Sequence, residues 1–237
     1  MLWGSSFIII VKPLDAFDKR NLLSTTFHIY PSTTYIPSFA EITALAETKL
    51  ETFFHTLSLD LQPKIDVELH TNNPDRVVPT DINSPATWSQ NHYAWFRVGN
   101  VMGGTDAYFQ DSTKLDNETR AIDRDIKIEA LTKQSKTEKP SDLVNACLQL
   151  QHEWWFRRSA GQPGTINVAY GFLASALAEL TSGFIYSDDS AWNYDYMPAL
   201  PTEFDKFYMR PELADQEEYS EWAERCLSGI ESDFGGV

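Results

Sequence analysis

Apolar residues recur along this chain at two spacings, and each spacing predicts its own kind of element. Phe39, Ile42, Ala46, Leu50, Phe53 and Leu57 follow one another at helical steps that stack on one face. Ser38 and Glu41 stand at the head of that run in a capping-box pattern, so a helix is predicted to open at Ser38. A second apolar run, with Ala169, Phe172, Leu173, Ala176, Leu177 and Leu180, predicts a central helix over Thr165 to Ser182. Gly183 then falls where a left-handed residue ends a helix, with Phe184 as its hydrophobic contact. Strands are predicted at Phe7 to Val11, Leu22 to Tyr30, Lys64 to Leu69 and His92 to Val98, with Thr71 to Ser84 as a loop.

The polar stretch Ala107 to Lys133 predicts two antiparallel strands, around Tyr108 to Thr113 and Asp125 to Thr132, joined at Asp116-Asn117-Glu118. A helix is the alternative there. Gln134 to Lys139 is a polar connector and the one candidate hinge. Beyond it, Pro140 and Ser141 open a predicted helix carrying Leu143, Val144, Cys147, Leu148, Gln151, Trp154 and Trp155, closed near Gly161 and Pro163. Pro201 begins a short helix through Met209, and a last acidic helix spans Leu213 to Ser228. These elements predict an α+β fold: one domain over residues 1–237, with an antiparallel or mixed sheet mainly from the first 133 residues, covered by helices.

Length and composition fit that reading. The chain has 237 residues, 42% hydrophobic and 13% aromatic, enough for a real core. Its 34 acids against 19 bases give a formal charge of −15. From Thr181 onward thirteen Asp and Glu face only Lys206, Arg210 and Arg225. Such a field repels phosphate backbones, so nucleic acid is not an expected partner, and a cationic protein is. The run Phe7 to Val11 is too short to span a membrane and lacks the basic flank of a secretion signal. A cytoplasmic protein without a membrane partner is expected, with Cys147 and Cys226 as reduced, buried thiols.

Catalytic patterns fail one by one. His152-Glu153-Trp154-Trp155-Phe156 opens like a zinc-protease helix, but Phe156 stands where the second imidazole is required. Gly99, Gly103 and Gly104 lack the spacing and the Lys-Ser/Thr pair that cradle phosphate. Pro74-Asp75 with Asp125-Ile126-Lys127 only loosely echoes a metal-dependent nuclease. Asp188 and Asp189 are the exception to weigh: adjacent loop carboxylates suit Mg²⁺ and sustain the alternative of a metal-dependent hydrolase. A scaffold subunit is the other alternative. No catalytic residue, metal or cofactor is assigned.

The most informative stretch is Gly183 to Glu212, where eight aromatics and six carboxylates share thirty residues without His or Cys. Aromatics supply contact area and carboxylates steer a basic partner, so the stretch reads as a protein-binding surface. The candidate contacts are Asp188, Asp189, Trp192, Tyr194 and Asp195, with Glu217, Glu218 and Glu221 steering at longer range. Trp192, Tyr194 and Tyr196 alternate with polar residues as an extended segment would, whereas Trp154 is expected in the core.

Gly183-Phe184-Ile185-Tyr186-Ser187-Asp188-Asp189, Ala191-Trp192-Asn193-Tyr194, Pro198, Phe204, Phe207-Tyr208 and Arg210-Pro211 resemble the immunity protein 52 family. Its members are bacterial antidotes to polymorphic toxins, including type VI secretion effectors. Ser190 and Asn193 stand where that pattern more often has Gly and Asp. The resemblance implies a non-enzymatic α+β protein of the cytoplasm that neutralises a cognate toxin, often a nuclease of the restriction-endonuclease fold, by binding it.

Overall fold

A computed structural model describes residues 24–72, 74–159, 161–187 and 193–235. Among them, seven strands form one antiparallel sheet: β1 (Ser24–Tyr30), β2 (Ile65–Asn72), β3 (Asp75–Val78), β4 (His92–Val98), β5 (Thr105–Asp111), β6 (His152–Ser159) and β7 (Phe184–Tyr186). The strand order is β3-β2-β4-β5-β6-β1-β7, with each neighbour antiparallel. Six helices accompany it: α1 (Phe39–Thr56), α2 (Asn117–Thr132), α3 (Ser141–Gln149), α4 (Gly164–Leu180), α5 (Pro201–Phe207) and α6 (Glu217–Gly235). The fold is α+β, as the sequence predicts. The predicted strand Phe7 to Val11 lies outside the described residues.

One face of the sheet carries the core. Phe27, Ile29, Ala94, Phe96, Ala107, Phe109, Trp154 and Phe156 alternate along four strands and are buried beneath α1 and α4. Helix α4 is buried from Thr165 through Ala178, which explains its nearly unbroken apolar sequence. Helix α1 opens as predicted: Ser38 Oγ accepts the Glu41 N–H at 3.2 Å, and Glu41 accepts the Ser38 N–H at 2.8 Å. The ammonium of Lys49 joins three helices, reaching Glu179 at 2.7 Å and Asp205 at 2.5 Å. Helix α6 lies on α4 through Ala223, Cys226 and Ile230.

Several predicted elements are corrected. The run Asp125 to Thr132 is helix α2, because Asp116 caps it by accepting the N–H groups of Glu118 and Thr119. Lys127, Ala130 and Leu131 bury one helical face there, so an Ile-Lys-Ile alternation does not mark a strand. The predicted helix over Trp154 and Trp155 ends at Gln149, and His152–Ser159 is a strand between β5 and β1. Two flanking partners and the β-favouring Trp-Trp-Phe run decide it. Thr71 to Ser84 is not all loop, since β2 runs to Asn72 and β3 pairs beside it. Ser182, with φ of 50°, takes the left-handed position assigned to Gly183. Gly183 follows it, donating to Ala178 O at 2.7 Å, and a Cβ there would overlap the carbonyl of Tyr30. Tyr194–Tyr196 is a 3₁₀ turn rather than an extended segment, and α6 begins at Glu217, after a separate 3₁₀ turn at Pro211–Leu213.

Because β6 sits inside the sheet, both halves of the chain share one core. The connector Gln134 to Lys139 is anchored by Thr137 Oγ1, which donates to Pro198 O at 2.7 Å.

Candidate protein-binding surface

The second face of the sheet is half covered. Helix α2 packs over its β7 end with α3 against it, and there Lys127 donates to Leu150 O at 3.1 Å and sits over the Tyr30 ring. Toward β2 the face is open, and period-two alternation brings a row of rings onto it. His70 on β2 stacks on Tyr93 of β4 at 5.1 Å. Tyr93 meets Tyr108 of β5 at 6.2 Å, and Tyr108 stacks on Trp155 of β6 at 5.5 Å. The row continues through His28 of β1 at 6.2 Å to Tyr30 at 6.1 Å, where α2 begins to cover it. Tyr93, Tyr108 and Trp155 are half-buried, so each keeps an accessible edge.

Polar groups fix these rings. Asp106, buried at 2% exposure, accepts from Tyr108 Oη at 2.8 Å and from Arg157 Nη2 at 2.6 Å. Burial, and then the bond to Asp106, pushes the Tyr108 phenol far above its ordinary value. Asp75 accepts from His70 Nδ1 at 2.9 Å and from Tyr93 Oη at 3.1 Å, and the histidine bond holds it below the usual carboxylate range. Arg97 reaches Glu68 at 3.1 Å.

Where α2 meets the open face there is a cleft of about 180 Å³ lined by His28, Tyr30, Gln110, Asp123, Ile126, Glu153 and Trp155. Glu153 is 6% exposed, and its one ion pair among the described residues is with His28 at 3.9 Å. Asp123 accepts from Gln110 Nε2 and Ser112 Oγ, each at 2.6 Å. Ile122 and Ile126 stand at the solvent side of α2, 55% and 51% exposed.

Of the residues singled out by sequence, those that the structure describes do not gather on this face. Asp188, Asp189 and Trp192 lie outside the described residues, as does the side chain of Tyr194. Asp195 is exposed and pairs with Lys136 at 3.0 Å, beside Lys133, whose ammonium burial lowers to about 8. Glu217 and Glu218 are exposed in the first turn of α6, where acids also favour the helix itself. Glu221 is exposed and pairs with Arg225 at 3.7 Å. These three acids sit on the helix that packs on α4, on the side of the sheet away from the rings.

Much of the aromatic-acidic stretch turns inward. Phe184, Tyr186, Phe204, Phe207 and Tyr208 are buried, Glu203 accepts the N–H of Leu200 and Glu138, and Asp205 holds Lys49. Its aromatic density is largely core. The ring row has little local signature, because β6 carries a helical spacing as well and because the row joins residues far apart in sequence; the alternation Tyr93-Trp95-Arg97 is its one local signal. His152 and Glu153 lie on opposite faces of a strand, so no helical metal site forms. Asp75 and Lys127 lie toward opposite edges of the sheet. Among the described residues no cluster of three His, Cys, Asp or Glu side chains could hold a metal, and no helix is long and apolar enough to cross a membrane.

What fold and surface define is an α+β protein with a ring-lined, partly open sheet face. Compared with protein-family models, curated proteins and solved structures, the chain matches none.

Proposed function

We propose that this protein is an immunity protein that binds a cognate bacterial toxin and neutralises it by direct contact. The observation that carries this reading is the row of rings on the open face, running from His70 through Tyr93, Tyr108 and Trp155 to His28. Half-buried Tyr and Trp side chains held by a rigid sheet are what interface anchors require, since little conformational entropy is left to lose. The −15 charge favours a cationic antagonist, and a nuclease needs a cationic groove for DNA. The resemblance to immunity protein 52 supplies the same partner, a secreted nuclease effector met in the cytoplasm. The protein acts by occupancy and turns over no substrate.

Co-expression of the neighbouring gene with and without this protein is the test. Growth arrest relieved by this protein, together with a complex that co-elutes on gel filtration, is the expected outcome. Arrest that persists despite its expression overturns the reading.

A further inference from the structure

We infer that the cleft between α2 and the sheet is a receptor for one arginine side chain presented by the partner, which makes it the anchor of the interface. The inference rests on the binding reading above and specifies where that binding is centred. Three observations lead to it.

The first is a buried carboxylate without a direct Arg or Lys partner. The two arginines on the open face are each matched to an acid, Arg97 to Glu68 and Arg157 to Asp106. Glu153 is different: it is buried at the cleft, and among the described residues it meets no arginine or lysine within ion-pair distance. The buried Lys127 ammonium is close enough to share its field with Glu153, but it donates to Leu150 O, sits over the Tyr30 ring and does not line the cleft, so it forms no direct ion pair there. A buried carboxylate is costly unless it is paired, and an incoming guanidinium would supply the pair.

The second is the wall. Trp155, Tyr30 and His28 line the cleft, and a planar guanidinium stacks on ring faces where an ammonium gains less. Gln110 donates through Nε2 to Asp123, and both side chains line the same cleft. A fork of N–H donors finds acceptors on more than one side there.

The third is size and rim. About 180 Å³ admits one long side chain and excludes a helix or strand. Ile126, which lines the cleft and is 51% exposed, can shield the bound charge from water, as the surroundings of an interface anchor do.

The test uses the full-length protein and two short peptides, one with a single central arginine and one with citrulline in its place. Binding is followed by tryptophan fluorescence and by the shift of the Trp155 indole N–H resonance. The arginine peptide should bind and shift Trp155, and the citrulline peptide should not. Glu153→Gln should weaken binding by about tenfold. Ile126→Arg, at an exposed position on the rim, should fill the cleft from within and abolish the shift even if Glu153→Gln folds poorly. Replacing Glu217, Glu218 and Glu221 with Gln should leave the peptide affinity within about twofold, because exposed charges contribute little to a local pair.

Equal binding of both peptides, or Ile126→Arg binding like the unmodified protein, overturns the inference, as does loss confined to the α6 variant. If the peptide binds as expected while the neighbouring gene product proves harmless, the toxin reading falls and the cleft stands. If the toxin is neutralised equally by Glu153→Gln and Ile126→Arg, the cleft falls and the toxin reading stands.

Discussion

Tyr108 and Trp155 lie directly opposite each other on β5 and β6, with ring planes 12° apart and centroids 5.5 Å apart. Their neighbour Arg157 sits over the Tyr108 ring at 5.7 Å and is itself held by Asp106. The stack therefore has a covalent support on each strand and an electrostatic clamp across them. Asp106 is the keystone, because one of its oxygens accepts from both the phenol and the guanidinium.

Replacing Asp106 with Asn should remove the charge while keeping the shape. Two charge-assisted bonds weaken, and stability should fall by about 1–3 kcal/mol. Urea unfolding measures this as a lower midpoint at unchanged slope. Spectrophotometric titration should show the Tyr108 phenol ionising at lower pH than in the unmodified protein, since its bond to Asp106 helps hold it up.

Gly171 faces Tyr208 in the core, and a Cβ on Gly171 would overlap the tyrosine ring. Tyr208 has little freedom to retreat, being fully buried with its hydroxyl donated to Asn167 O at 2.7 Å. Gly171→Ala should cost about 1–3 kcal/mol by overpacking. Adding Tyr208→Leu should make the alanine less costly than it is alone, a sign of coupling that thermal melts of the four proteins would read.

Stability should fall as the solution is acidified below about pH 6.5, the ordinary histidine value. Burial first, and then the charge of Lys127, lowers the His152 value in the folded protein. Between its folded value and 6.5 the unfolded chain binds a proton that the native state does not, so stability rises with pH there and is lost on the way down. Urea midpoints between pH 7.5 and 5.5 should fall more steeply for the unmodified protein than for His152→Gln.

Neither thiol should react in the native state at pH 8. Burial raises Cys147 to about 12, and Cys226 is raised by the same cause. Cys147 also donates its S–H to Tyr30 O at 3.2 Å. A thiol-specific chromogenic reagent should register almost no reaction before denaturant is added and two equivalents afterwards; rapid native labelling of Cys147 would contradict this.

Much of the chain's local structure is legible in its sequence. Helix α1 is written in its capping box and in the steps from Phe39 to Phe53, both of which act within a few residues. Helix α4 and strand β4 are equally local, since α4 is apolar on all sides and β4 alternates cleanly. The elements that the sequence predicts otherwise share a cause. Trp154, Trp155 and Phe156 satisfy a helical face as well as a strand, and only β1 and β5 on either side settle the choice. In α2 the decisive signal is Asp116, because the same side chain that begins a turn also caps a helix.

By itself, then, the sequence determined the α+β class, the capped and buried helices and the acidic balance, because spacing, capping and charge are properties of neighbouring residues or of the whole count. Only the tertiary structure decided that the aromatic C-terminal stretch is mostly core and that His70, Tyr93, Tyr108, Trp155 and His28 form one row. Sheet pairing joins residues distant along the chain, and the side of the sheet that helices leave open follows from how the layers pack.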